Sequence, residues 1–337
     1  MEYKKNKIEY AMKEIPKVKA FINNSLDSII SENNILKKLR YSLIVNLYYA
    51  FHDKENLYLI LDYMPGGDLR YYISNHIHFK ESQIKFFISC IILSINYIHK
   101  NRIIHRDLKP ENLLFDSEGY IHITDFGISK EIKEGLIIND ISGTPGYISP
   151  EVIIGKPQNE VSDFFNIGII TYELIFGKRP FEGKNKKEIA DNMLNTRINL
   201  EGNNISKNYS LEVADFINRL LKRKNNQRLG SRGIDEIKNH KWLEDVDWQG
   251  IEEKNIDLTY LPFIPVLKDH DKNIMENPND NKKIKKYNNI LEKLNRESYF
   301  IDFYFNIDDM NIKKRHFCFD EDFSEDEDID NRENVFN

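Results

Sequence analysis

One run of residues limits what this chain can become. Residues 105–115 read His-Arg-Asp-Leu-Lys-Pro-Glu-Asn-Leu-Leu-Phe, and Thr-Asp-Phe-Gly follows at 124–127. Apolar residues at 103–104, 113–115 and 121–124 suit short strands around this charged loop. Asp107 has the chemistry to accept a proton from a substrate hydroxyl. Asn112 and Asp125 offer oxygens to two magnesium ions on a nucleotide phosphate chain. Phosphoryl transfer asks a protein for positioning and charge neutralisation rather than covalent help. A fold that serves this run must therefore bring 107, 112 and 125 to one point.

The bulk composition permits such a fold. The 337 residues suffice for a two-lobed unit with a sizeable core, and 40% apolar content with 12% aromatics is globular rather than disordered. The formal charge is -6, but residues 320–330 hold eight acids and no base, so the rest of the chain nets to about +2 (-6 plus 8). That near-neutral body gives no reason to expect nucleic acid as a partner. Two cysteines, Cys90 and Cys318, leave pairing open in principle, with a reducing, cytoplasmic setting favoured. The longest apolar runs, Phe86 to Ile95 and Ile167 to Ile175, are too short to span a bilayer and read as buried helices. Met-Glu-Tyr-Lys-Lys at the start lacks the apolar stretch of a signal peptide.

Periodicity places a strand at 8–15 and a helix at 27–39, with a Ser-x-x-Glu-like polar start nearby. Runs at 44–51 and 57–63, split by His52-Asp53-Lys54-Glu55-Asn56, read as a hairpin. Pro65-Gly66-Gly67 breaks the chain and marks a lobe boundary. Helices are expected at 69–75, 81–100, 161–177, 187–194 and 211–222. Residues 268–295, rich in Asn, Lys and Asp, read as a partly disordered tail.

The catalytic run and its distance from Asp-Phe-Gly match the loops of eukaryotic protein kinases. From about residue 8 to about residue 265 the chain resembles the AGC group of serine/threonine protein kinases. Gly-Gly-Asp-Leu-Arg-Tyr-Tyr-Ile at 66–73, His78-Phe79-Lys80-Glu81, Asp247-Trp248 and Phe263-Ile264-Pro265 look most like its YANK branch. The resemblance implies an α+β, two-lobed fold: a partial small lobe over 1–64, a helical large lobe over 65–248, and an AGC-like tail over 249–337, acidic at its end. It implies ATP and Mg²⁺ as cofactors and protein serine or threonine as the acceptor.

Site residues follow from the same motifs. Lys13, in Tyr10-Ala11-Met12-Lys13, matches the lysine that holds the nucleotide phosphates, and Glu32 fits its helix partner. Lys109 matches the lysine that contacts the transferring phosphate. Thr144, in Gly143-Thr144-Pro145, matches the residue that packs on Asp107 and Lys109. Leu61, the backbone of Asp62 and Met64, and Leu114 would frame adenine; by periodicity alone these read as core. Leu36, Leu47, His105 and Phe126 fit a stacked apolar column between the lobes. Glu151 of Ser149-Pro150-Glu151 would pair with Arg228, and Asp163 would brace the catalytic loop. Asp68, at the edge of the nucleotide site, together with Glu111 and Glu173 occupies positions where basophilic AGC kinases place acids against substrate arginine. Each also reads as a solvated surface charge.

The sequence departs from the family in two places. Its first glycine is Gly66, so no Gly-x-Gly-x-x-Gly loop precedes Lys13 to cap the phosphates with backbone amides. Two explanations stand: a sequence that starts inside a longer kinase, or a kinase-fold chain with weakened nucleotide binding that serves as an interaction module. The intact catalytic residues favour the first. Asp140 stands where many AGC kinases carry a phosphorylated threonine, with Arg106 and Lys130 as its expected partners; a plain turn aspartate is the other reading. In the tail, Phe300-Ile301-Asp302-Phe303-Tyr304-Phe305 resembles the aromatic motif that docks onto the small lobe. Ser324, among acids, suits an acid-directed regulatory kinase, and the same run reads equally as solvated tail. A small-molecule kinase is disfavoured because Gly143-Thr144-Pro145 and Ser149-Pro150-Glu151 shape a peptide platform.

Overall fold

The computed structural model describes residues 8–135, 137–201, 206, 208–256, 292 and 300–308. The expectations for 268–295 (Glu292 apart), Cys318, Ser324, the acidic run and Phe263-Ile264-Pro265 lie outside the described residues.

Strand β1 (Tyr10–Pro16) leads into a short helix α1 (Lys17–Ile22) and then α2 (Leu26–Leu36). Strands β2 (Leu47–His52) and β3 (Asn56–Asp62) form the expected hairpin. Its turn is closed by Asp53, whose Oδ1 accepts from the amides of Glu55 and Asn56 at 2.8 and 2.7 Å. The small-lobe sheet runs β1-β3-β2-β8. Its last member, β8 (Phe305–Asn306), comes from the tail and pairs antiparallel with Tyr49 and Ala50. Ser25, just before α2, makes no side-chain cap bond; its Oγ donates to Ala20 O.

The large lobe is helical: α3 (Leu69–Ser74), α4 (Glu81–Lys100), α5 (Pro150–Ile153), α6 (Val161–Phe176), α7 (Lys186–Asn195), α8 (Leu211–Leu220), α9 (Ile234–Lys238) and α10 (Trp248–Glu252). Helix α4 starts where Gln83 Oε1 takes the Lys80 amide at 2.7 Å. Its core face carries Ile84, Phe87, Ile88, Ile91, Ile92, Ile95 and Ile98, buried at helical spacing. Gly168 lets α6 approach α8 closely, since a Cβ there would meet Leu220 Cβ at 2.8 Å. Between the lobes lie two small ribbons, β4 (Ile103–Ile104) with β7 (Lys130–Glu131) and β5 (Leu113–Phe115) with β6 (Ile121–Ile123). The glycine break is not a loose linker: Gly66 N donates to Phe115 O at 2.9 Å and Phe115 N to Gly67 O at 2.8 Å. Leu36, Leu47, His105 and Phe126 are all buried, and the His105 and Phe126 rings meet edge to face at 5.2 Å. The fold is α+β and two-lobed, as expected.

Candidate active site

The two ribbons fix the loops that carry the chemistry. Register Leu113↔Ile123 and Ile104↔Lys130 holds both ends of the catalytic and metal loops. Thr124 N donates to Asn112 O at 3.0 Å and ties one loop to the other. Asp163, at the start of α6, is fully buried and accepts the amides of His105 and Arg106 at 3.0 and 2.9 Å and the His99 ring at 2.8 Å. Burial works against its charge, yet His99 and the amide donors hold its carboxyl below the ordinary range. This is the bracing role expected from the sequence.

Around Asp107 the side chains form a closed polar triangle. Lys109 Nζ donates to Asp107 Oδ2 at 2.6 Å and to Thr144 Oγ1 at 2.7 Å. Thr144 donates its hydroxyl to Asp107 Oδ1 at 2.7 Å and its amide to the same oxygen at 3.0 Å. Thr144 reaches this place because Gly143 takes φ +120°, where a Cβ would press on Arg106 O at 3.1 Å. Asn112 Nδ2 donates to Asp107 O at 2.9 Å, so its oxygen is the atom suited to a cation. Asp125 holds φ +65°, an unfavourable backbone for a non-glycine residue, while Phe126 beside it is fully buried.

Lys13 of β1 meets Glu32 of α2 through two contacts, 2.7 and 2.9 Å. The Glu32 side chain is 6% exposed and Lys13 42%. Burial pushes the Glu32 carboxyl up, Lys13 pulls it down, and Asp125 nearby adds to the rise. The donor set fits a magnesium nucleotide. Among the described residues no group of three or more His, Cys, Asp or Glu makes a metal cage. Magnesium binds in the complementary way, through one or two carboxylates plus waters and substrate phosphates.

The adenine-side residues sit at the β3 exit. Leu61 packs on the core, and Leu114 bridges to Asp68 through backbone. The Asp62 amide is spent on Asn46 O at 3.1 Å and its carboxylate on Asn46 and Tyr48. Met64 is half-buried beside it.

The three acids expected to face substrate arginine each have a partner within the chain. Asp68 caps α3, accepting from Tyr71 N at 2.8 Å. Glu111 and Glu173 do converge, but on Arg70 of the chain itself. Arg70 Nε donates to Glu111 at 2.9 Å and its Nη1 to buried Glu173 at 2.7 Å. Sequence reasoning passed over Arg70 because an arginine on a short helix gives no sign of its partners.

Two further groups escaped the sequence. Asn33, next to Glu32, donates to Phe303 O at 2.9 Å, and Lys17, fully buried, sits 4.7 Å over the Phe300 ring. With Phe300 and Phe303 both buried, the tail docks on the small lobe as its aromatic motif implied. In the activation segment Arg106 Nη2 donates to Asp140 Oδ2 at 2.6 Å and also to Ser142. Burial opposes the Asp140 charge, but Arg106, with Lys130 behind it, lowers its pKa. Glu151 and Arg228 pair through two bonds of 2.8 Å, both nearly buried.

Comparison with known proteins agrees with this geometry. The family model described as "Protein kinase domain" matches residues 2–243. A probable serine/threonine-protein kinase of Dictyostelium discoideum is 37% identical over 77% of this chain and 55% of its own length. Serine/threonine-protein kinase sgk-1 of Caenorhabditis elegans is 35% identical over 80% of this chain and 57% of its own. The cAMP-dependent protein kinase catalytic subunit of Dictyostelium discoideum is 34% identical over 76% of this chain and 39% of its own. The chain thus spans about half the length of the first curated relatives it matches. The braced loop, the triangle on Asp107 and the matched span together make this chain a member of the protein kinase family.

Proposed function

We propose that the chain transfers the γ-phosphoryl group of ATP to serine or threonine hydroxyls of proteins. The observation that carries this reading is the Asp107–Lys109–Thr144 triangle. Asp107 takes the hydroxyl proton as the acceptor oxygen bonds to phosphorus and the bond to the ADP oxygen breaks. Lys109 neutralises charge on the group in transit, and Thr144 fixes the Asp107 carboxylate. Bound magnesium and ATP supply the neutralised phosphate chain. Asn112 and Asp125 would hold the metal, Lys13 with Glu32 the phosphates, and Leu61, Asp62, Met64 and Leu114 the base.

The finer parts are proposals as well. The phrases at 66–73 and 78–81 support the YANK branch, and the Pro65-Gly66-Gly67 break supports a division at 64–65; the second division, at 248–249, falls at the first residue of helix α10, which belongs with the large lobe. A cytoplasmic setting draws support from Cys90, a buried free thiol. No described helix is long and apolar enough to cross a membrane. The rival reading is an interaction module with weak nucleotide binding; the Asp107–Lys109–Thr144 triangle speaks for transfer. A preference for basic substrates is not part of the proposal, because Arg70 occupies the acids that would supply it.

The test is phosphate transfer from ATP to a mixed serine/threonine peptide library. Asp107→Asn should lose about 10²- to 10⁴-fold in rate, the usual worth of a general base, while keeping the same circular dichroism. An unchanged rate overturns the assignment.

A further inference from the structure

Beside Thr144, at the mouth of the catalytic centre, lies a cavity of about 360 Å³. Its wall contains Arg70, Glu111 and Glu173, and its rim Lys178, Arg179 and Glu182. Cations and anions are equal there, three of each. Nothing in that balance attracts a guanidinium.

The arrangement of the inner three explains why. Glu173 on α6 is 4% exposed at its side chain. It takes Arg70 Nη1 at 2.7 Å and Nη2 at 3.3 Å, and Tyr147 bonds to both Arg70 and Glu173. Glu111, beside the catalytic loop, takes Arg70 Nε at 2.9 Å. Each face of the Arg70 fork is therefore engaged by an acceptor. An incoming guanidinium would have to expel Arg70, a partly buried partner held by charge-assisted bonds, to gain the same bonds.

We propose that Arg70 is a specificity-determining residue: it fills from within the subsite that Glu111 and Glu173 would otherwise offer to substrate arginine. The chain then takes acceptor peptides with uncharged side chains at this position, and removal of Arg70 creates an arginine subsite. This rests on the kinase reading above. It differs from it in claiming which peptides bind, not whether phosphate moves.

The experiment is a positional scan. Arginine replaces alanine, one position at a time, around a single acceptor serine, and KM and kcat are measured for the native chain and Arg70→Ala. At one position Arg70→Ala should show a drop in KM of about threefold or more for the arginine peptide. The native chain should show none there, and adding Glu111→Gln should abolish the gain. Identical profiles for the two proteins at every position overturn the proposal. If Arg70→Ala does not fold, Arg70→Gln, which keeps a hydrogen-bond donor for Glu173, takes its place in the same scan. Peptide binding by fluorescence anisotropy is read in parallel. Absence of transfer in both proteins counts against the kinase reading, while the binding profiles still decide the role of Arg70.

Discussion

Two carboxylate–cation pairs, one in each lobe, have similar bonds and opposite characters. Glu32 with Lys13 and Glu151 with Arg228 both close through two contacts under 3 Å. In the large lobe both partners are nearly buried, at 4% and 0% side-chain exposure. Ser162 and the Val161 carbonyl complete the set, and Arg228 lies 4.8 Å over the Phe165 ring. Burial opposes the charge of Glu151, but Arg228 outweighs it and lowers the pKa. In the small lobe only Glu32 is buried, its cation is 42% exposed, and its pKa is raised. One pair is a permanent anchor; the other is held at a cost and exposes its lysine toward the place where phosphates would lie. Under the proposed function the Lys13–Glu32 pair must release and regrip a ligand, a task for which a fully buried anchor such as Glu151–Arg228 is unsuited.

The largest effect that sharpens this contrast concerns the tail. The small lobe borrows Phe300, Phe303 and β8 to finish its sheet and to pin α2 through Asn33. Phe303→Ala removes a buried ring, worth about 3–5 kcal/mol in well-packed sites. Both tryptophans, Trp242 and Trp248, lie in the large lobe. Thermal melting followed by tryptophan fluorescence should stay near native, while hydrogen exchange of α2 speeds up. Equal loss in both readouts would erase the division between the lobes.

Acid offers an intermediate effect, and the sign differs between pairs. Glu151 and Asp163 have lowered pKa values. Their stabilisation is complete above the unfolded values, about 4, and is lost as pH falls through the lower folded values. Glu32 is raised, so it takes up its proton first and the folded state gains from that uptake. As pH is lowered, ATP affinity should decline before tryptophan fluorescence changes. Unfolding of the large lobe ahead of the loss of affinity would contradict the assignment.

The smallest effect lies in the activation segment. Asp140 is about half exposed at its side chain, so its pair with Arg106 is worth about 0–1 kcal/mol. Arg106 Nε and Nη1 are buried without a hydrogen-bond partner among the described residues, so one carboxylate satisfies only a corner of the guanidinium. Asp140→Ala should lower the transfer rate several-fold and quicken proteolysis of the segment. Full activity with native protease resistance would make Asp140 a plain turn residue.

Much of this was legible in the chain. Helix α4 was read at 81–100 because its apolar face repeats without interruption for 20 residues. Asp107, Asn112 and Asp125 were legible in the spacing of one local run, while Lys109 and Asp163 came from the family resemblance. What escaped was set by long-range partners. Strand β8 is two residues long and pairs with residues 49 and 50, so no periodicity announces it. Helix α1, six residues, is too short to show a face. Asp68 has the chemistry of a substrate acid and of a cap, and only the position of Tyr71 N decides. Arg70 carried no reading of its own in the sequence, because its partner Glu173 comes from α6, about a hundred residues on.

The contrast between the two pairs is tested most directly by parallel substitution. Glu32→Gln and Glu151→Gln each remove one charge and keep the side-chain shape. Thermal melting by tryptophan fluorescence and the rate of phosphate transfer are measured on both. The account predicts that Glu32→Gln melts within a few degrees of the native chain but loses about 10²-fold in rate through misplacement of the phosphates. It predicts that Glu151→Gln, by stranding a buried arginine, loses about 3–5 kcal/mol of stability. The opposite assignment, with Glu32→Gln melting early at full rate or Glu151→Gln melting like the native chain, would contradict it.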